Sequence, residues 1–293
     1  MVKYRTPAPQ NIRLTFAGLA AGVFAVVSGA QAHEPAGEAT YLANAGVLVS
    51  VCGEKILFDA FYEDSYGRYA LVPDEARQDL LAGRPPYDEV SALFVSHVHG
   101  DHFSPAPALA YLRAWPDVKL YGSLQVADAL AKAAGSDDEV LQRVIAFDLE
   151  PGAAPADAVH DALSIDVVAI PHSGGARMSD IDNLVFRVSL NQAATVMHLG
   201  DAVADEALFA GRQAHWDARR TDLVFPPFWF FRDDAGRRIL ENNIRAAAAV
   251  GVHVPAAAIG QGDGWRDESG GDLFTDPGET RVIGDIVCAA EHR

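Results

Sequence analysis

Ser96-His97-Val98-His99-Gly100-Asp101-His102 is the stretch on which the reading of this chain turns. It places four good metal-binding side chains, His97, His99, Asp101 and His102, within six residues. They follow the apolar run Val90–Val95, which reads as a buried strand because it is short, β-branched and bounded by turn-forming residues. Four donors therefore emerge together at the end of a rigid element. His97 and His99 alternate and can face one ion, while Asp101 and His102 turn towards a second. Imidazole and carboxylate suit zinc, iron or manganese. The alternative is a polar loop that happens to be rich in histidine.

Three downstream segments supply what a two-metal site would still lack. They are Pro171-His172-Ser173-Gly174-Gly175, Met197-His198-Leu199-Gly200-Asp201 and Gly251-Val252-His253-Val254-Pro255, each just past a β-like stretch (SIDVVAI, AATVMHL and AAAVGV). With HxHxDH, a lone His, an Asp and a final His in this order, the sequence resembles the metallo-β-lactamase-fold hydrolases from about Ala39 to about Gly262. The resemblance implies that His97, His99 and His172 hold a first metal. Asp101, His102 and His253 would hold a second, with Asp201 bridging both. It implies two divalent ions, zinc by default, with manganese or iron as alternatives.

The opening stretch TYLANAGVLVSVCGEKILFDAFYED (40–64) looks like the first hairpin of the ascorbate-6-phosphate-lactonase-like and N-acylphosphatidylethanolamine-phospholipase-D-like branch. There an aspartate supports the metal site from behind, and Asp59 occupies that place; such carboxylates fix imidazole tautomer and orientation. PHSGG (171–175) and HLGDA (198–202) also look like that branch. True metallo-β-lactamases generally lack the bridging aspartate supplied here by Asp201, so antibiotic hydrolysis is the lesser expectation.

Residues 1–32 read as an export signal. Lys3, Arg5 and Arg13 form a positive region, LTFAGLAAGVFAVVSG an apolar one, and Ala30-Gln31-Ala32 a small-residue cleavage site. An uncleaved anchor is the alternative, although the apolar core is short for a span. The expected mature protein, residues 33–293, is periplasmic or secreted, has no membrane span and fits one layered domain. The formal net charge is −17, and the signal carries three basic and no acidic residues, so the mature chain is more acidic still. Such a surface repels phosphate backbones and argues against a nucleic-acid substrate. A small-molecule or lipid-like substrate is less affected, because metal ions reverse the local potential. Oligomeric state is not legible. The two cysteines, Cys52 and Cys288, can pair in an oxidising compartment or remain buried thiols, and sequence leaves both open.

Strand-like runs fall at Val47–Val51, Lys55–Phe58, Val90–Val95, Lys119–Tyr121, Arg143–Phe147, Leu163–Ile170, Asn183–Leu190 and Ala194–His198. Helical patterns lie at Pro105–Ala114, Ser123–Ala134 and Arg237–Ala248. This order suggests two sheets covered by outer helices, an α/β (α+β) fold. It agrees with the four-layer αββα sandwich that the resemblance implies.

Two segments carry candidate substrate residues. FPPFWFFRDD (225–234) puts four aromatics in a row, and Trp229 with its neighbours either lines a substrate mouth or packs as core. Arg177, soon after His172, and Arg232, behind the aromatics, either meet a substrate phosphate or carboxylate or pair within the protein. His198 is expected to support the site from behind rather than bind metal. His160 and His215 are expected at a solvated surface.

The implied chemistry is hydrolysis of a phosphodiester, lactone or ester by a metal-bridging hydroxide. Asp201 would hold the metal spacing and Asp101 would orient the nucleophile. The alternatives are a mono-iron redox enzyme acting on thiols or persulfides, and a non-catalytic metal-binding envelope protein.

Overall fold

The computed structural model describes residues 36–288. The expected export signal lies outside them. One sheet contains β1 (Gly37–Ala43), β2 (Gly46–Val51), β3 (Glu54–Phe58), β4 (Val90–Phe94), β5 (Lys119–Ser123), β6 (Val144–Phe147) and β13 (Thr280–Val282), in the order β13-β1-β2-β3-β4-β5-β6. The other contains β7 (Ala156–His160), β8 (Leu163–Ala169), β9 (Leu184–Leu190), β10 (Ala194–His198), β11 (Leu223–Phe225) and β12 (Ala248–Ala249), in the order β12-β11-β10-β9-β8-β7. In each sheet an antiparallel meander passes into parallel strands, at β3 to β4 in the first and β10 to β11 in the second.

Side chains alternate across a strand, so a strand buried on both faces must be apolar at every position. The central strands largely meet that requirement, the exceptions such as Arg187 with Asp166 and Ser189 with Thr195 being held in hydrogen-bonded pairs. Val47, Val49, Ile56, Phe58, Ala92 and Phe94 of the first sheet pack between the sheets against Ile165, Val167, Phe186, Val188 and Val196 of the second. The alternate residues face outward. Leu48, Leu57, Leu93 and Leu120 pack beneath α1 (Asp74–Leu81), α2 (Pro105–Ala114) and α3 (Leu124–Ala134), meeting Leu80, Leu109, Leu112, Val126 and Leu130. Val168, Val185, Met197 and Val224 pack against Phe209 of α4 (Glu206–Ala210), Trp216 of α5 (Gln213–Asp217) and Phe230 of α6 (Trp229–Arg232). Each fully buried side chain of this size contributes roughly 1.5–3 kcal/mol. The result is four layers, αββα, as expected.

The expected helix at Arg237–Ala248 is a correction. Helix α7 covers Asp234–Arg238 and continues as a wide π-type turn over Ile239–Ile244. The chain then breaks at Arg245, which adopts a left-handed conformation (φ 51°). Ala248–Ala249 pair with Leu223–Val224 as the outermost strand of the second sheet. The alanine run has high helix propensity, but a free sheet edge outcompetes a preference of a few tenths of a kcal/mol per residue. β1, β7, β11 and β13 also go beyond the expected strand runs. They are short or mixed in polarity, and pairing partners define them.

Cys52, in the β2–β3 turn, forms a disulfide with Cys288, with Cα atoms 5.4 Å apart. Of the two readings the sequence left open, the bridge is the one present. No helix among the described residues is long and apolar enough to cross a membrane.

Candidate metal centre

The topology carries every candidate donor to one edge of the two sheets. β3 and β4 run parallel, so Asp59 and the stretch from Ser96 to His102 leave the first sheet side by side. β8, β10, β11 and β12 end at the same edge, delivering His172, Asp201 and the segment leading to His253. Backbone bonds clamp the two sheets there: Leu184 N–H donates to Ser96 O (2.9 Å) and His253 N–H to Asn44 O (2.7 Å).

The donor atoms of His97, His99 and His172 lie within 4.8 Å of one another, as do those of Asp101, His102 and His253. Asp201 stands between the sets. Its Oδ1 is 3.2 Å from His102 Nε2, and its Oδ2 is 3.4 Å from His172 Nε2 and 3.2 Å from His253 Nε2. His253 Nε2 is also 3.3 Å from Asp101 Oδ2. One carboxylate thus faces an imidazole of each set.

The residues fit a pair of cations. His102 Nε2, His172 Nε2, His253 Nε2 and Asp201 Oδ1 are buried with no hydrogen-bond partner among the described residues. Each such unmade bond costs about 1–3 kcal/mol, and several converging lone pairs at one point are what a metal satisfies. Neutral imidazole and carboxylate donors in this number suit zinc, manganese or iron.

Asp59 organises the second set and reaches the first. Its Oδ2 lies 2.8 Å from His102 Nδ1, which holds the proton there and leaves Nε2 free to coordinate. Ser96 ties Asp59 to His97: its Oγ–H donates to Asp59 Oδ2 (2.6 Å) and its oxygen stands 2.9 Å from His97 Nδ1. Ser96 N–H donates to Asp59 Oδ1 as well (2.8 Å). Asp59 itself adopts a left-handed conformation (φ 42°), a strained state that surrounding contacts must hold.

Two asparagines do the same work elsewhere. Asn44 Nδ2 donates to the Asp101 carbonyl (2.8 Å), while its own carbonyl receives the His253 N–H. Asn183 Oδ1 accepts from Asp201 N–H (2.9 Å), and its Nδ2 donates to the carbonyls of Ile170 and Leu199. Gly200 between them has φ 54°, and a Cβ there would lie 2.4 Å from Asn183 Oδ1. Only glycine fits that turn. His198 is buried behind the site, donating from Nε2 to Ala45 O (2.9 Å) and accepting the Gly200 N–H at Nδ1 (3.1 Å). It shapes the turn that carries Asp201.

Burial pushes the imidazoles of His97, His99 and His198 below the usual histidine range, which keeps them neutral. Burial would do the same to His102 and His253. The Asp201 carboxylate, helped by Asp59 at His102 and Asp101 at His253, outweighs it and raises both. Burial would raise Asp201, but His253 and His102 hold it well below the carboxylate range.

The donors open onto a cleft of about 430 Å³ lined by Tyr66, Arg68, Tyr69, His99, Asp101, His172, Met178 and Asp201. A second cavity of about 310 Å³ shares His172 and Met178 and adds apolar walls from Leu149, Pro151, Ile170 and Leu208. The expected substrate residues do not line either cavity. Arg177 is exposed and outside the residues lining either cavity. Arg232 pairs with Glu268 (3.0 Å) and lies over the Trp265 ring (4.4 Å). Phe225, Phe230 and Phe231 are core, as the packing alternative had it. Trp229 sets its ring edge against His253 (5.4 Å) and spends its N–H on Ala202 O. His160 and His215 are partly buried rather than solvated, His160 lying 2.9 Å from Lys119 Nζ.

Ser96, Asn44, Asn183, Arg68 and Tyr69 were not singled out by sequence reasoning. Ser96 stands inside the decisive stretch, beside His97. The others lie in turns or, for Asn183, at the entry to β9, where nothing local distinguishes a buried hydrogen-bonding residue from an exposed one.

Residues 54–258 match the family model for the beta-lactamase superfamily domain. The chain belongs to the metallo-β-lactamase-fold superfamily. Igni18, a metallo hydrolase from the archaeon Ignicoccus hospitalis, matches at 15% identity with a TM-score of 0.55, covering 84% of this chain and 97% of that one. An isothiocyanate hydrolase from Delia radicum gut bacteria matches at 16% identity with a TM-score of 0.56, covering 83% and 98%. At such identities the likeness speaks for the fold. No curated protein matches the sequence.

Proposed function

We propose that this superfamily member is an exported binuclear metal-dependent hydrolase acting on a phosphodiester, lactone or ester. One observation carries the reading: two buried donor sets share Asp201, and their free imidazole nitrogens converge on it. His97, His99 and His172 would hold one ion, and Asp101, His102 and His253 the other. When bound, such a pair supplies a water made acidic enough to attack near neutral pH.

The chain's own residues do the rest. Asp201 fixes the separation of the two sets, and Asp59 keeps His102 in the coordinating tautomer. Asn44 holds Asp101 and His253 in register. Arg68 gives the cleft its cation and favours an anionic substrate such as a phosphodiester. The cavity beyond Met178, walled by Leu149, Pro151, Ile170 and Leu208 and rimmed by Glu150, Asp182 and Asp205, has room for a hydrocarbon or aryl substituent. The support that Asp59 gives His102 accords with the lactonase-like and phospholipase-D-like branch. The Cys52–Cys288 bridge accords with a periplasmic or secreted setting, since disulfides persist in oxidising compartments.

The test is hydrolysis of an aryl phosphodiester and of a lactone by zinc-, manganese- or iron-loaded protein. Asp201→Ala and His99→Ala are expected to abolish metal-dependent turnover while retaining the native circular dichroism spectrum. Undiminished hydrolysis by both folded variants would overturn the reading. A protein that holds one iron and consumes oxygen would point to redox chemistry instead.

A further inference from the structure

Two tyrosine hydroxyls, those of Tyr66 and Tyr69, line the cleft, and only that of Tyr69 makes no hydrogen bond within the described residues. Tyr69 lies edge-on to His253, with ring centroids 4.2 Å apart and planes at 77°. It lines the cleft with His99, Asp101, His172 and Asp201. Its hydroxyl has no hydrogen-bond partner among the described residues. The neighbouring polar aromatics are held by the protein, although Tyr66 is held only as an acceptor and keeps its own proton free. Tyr62 Oη–H donates to Ala70 O (2.7 Å), Tyr66 Oη accepts the Gly100 N–H (3.0 Å), and Trp229 Nε1–H donates to Ala202 O (3.2 Å).

The backbone around Tyr69 is pinned on three sides. Tyr69 N–H donates to Ser65 O (3.1 Å), Ala256 N–H donates to Arg68 O (2.8 Å), and Ala70 O takes the Tyr62 hydroxyl. The segment is thereby tied to the loop that follows His253. A donor held rigidly beside a reacting centre needs little reorganisation when charge develops, which is the condition for strong oxyanion stabilisation. A phenol is protonated at neutral pH and can donate.

We infer that Tyr69 is a further catalytic residue of the proposed hydrolase, its hydroxyl donating a hydrogen bond to the substrate oxygen that gains negative charge. The role rests on the hydrolase reading. As the water oxygen bonds to the carbonyl carbon or phosphorus, the electron pair of the C=O or P=O bond moves onto the substrate oxygen that faces Tyr69. When the pair returns, the bond to the leaving oxygen breaks with its electrons, and that oxygen departs with a proton originating from the attacking water. Tyr69 keeps its own proton throughout, so no other reactant is needed.

Tyr69→Phe isolates the hydroxyl, because the ring that packs on His253 remains. In zinc-loaded protein assayed on bis(4-nitrophenyl) phosphate and on dihydrocoumarin, it is expected to lower kcat about 10²–10³-fold, the usual loss for one such donor. KM and zinc content should stay within about two-fold of the parent by the criterion that only a charge-developing interaction is removed. Calorimetric titration with phenylphosphonate, whose oxygens mimic the developing charge, should show binding weakened about ten-fold, equivalent to about 1.4 kcal/mol. Unchanged kcat and unchanged phosphonate affinity would overturn the assignment while leaving the hydrolase reading intact. Loss of zinc from Tyr69→Phe would show a packing role and overturn it too. A parent inert towards both substrates would overturn the hydrolase reading, and the role given to Tyr69 would fall with it.

Discussion

Asp59 shows how one side chain spans the site without entering it. It contacts His102 directly and His97 through Ser96, so it sets the proton position on an imidazole of each donor set. Removing such support typically costs 10–100-fold in metal affinity. Asp59→Ala is therefore expected to weaken zinc binding by about that factor, measured by competition against a chromophoric chelator. Affinity equal to the parent's would show that Asp59 is incidental. At this scale the sequence was most informative about donors. His97, His99, Asp101 and His102 stand in one short stretch, and a metal restricts donor chemistry to few residue types. The supporting residues Asn44, in a turn, and Asn183, at the entry to β9, were illegible because hydrogen bonding to backbone is open to many residue types at such places. Of the two readings open for each arginine, Arg232 takes pairing within the protein, with Glu268, while Arg177 stands exposed beside the cavities rather than in their lining.

Helix α5 illustrates electrostatics at the scale of an element. Its His215 packs edge-on to Trp216 (4.8 Å), and its carbonyl accepts from the buried Arg187 (2.9 Å). Burial, with Arg187 nearby, pushes the His215 imidazole down to about 4. The unfolded chain, with its histidine near 6.5, binds the proton more readily between those values. His215 thus contributes stability that is complete above pH 6.5 and is lost as pH falls towards about 4. Urea denaturation at pH 7 and pH 5 should show a smaller drop for His215→Gln than for the parent. Equal drops would contradict this account. Elements themselves were legible where burial is two-sided: β4, β9 and β10 are largely apolar runs. They were illegible where pairing overrides propensity, as at Ala248–Ala249.

Across the whole molecule, the Cys52–Cys288 bridge joins residues 236 positions apart. It sits in the β2–β3 turn, at the opposite end of the sheet from the Asn44 turn and Asp59. Closing a long loop in the unfolded chain typically stabilises by about 2–4 kcal/mol. The double variant Cys52→Ser, Cys288→Ser is expected to lose about that much in denaturant titration while its zinc content is unchanged. A loss of zinc would show that the bridge and the metal edge are coupled. The four-layer plan could be read from strand order and resemblance together, but the bridge could not, since only folding brings the two cysteines within reach.

The central claim is that Asp201 joins two metal-binding sets. The most direct test is the zinc-to-protein ratio of dialysed parent, His253→Ala and Asp201→Ala. The account predicts two ions in the parent, one in His253→Ala, and fewer than two in Asp201→Ala. A parent that holds a single ion, unchanged by His253→Ala, would contradict it.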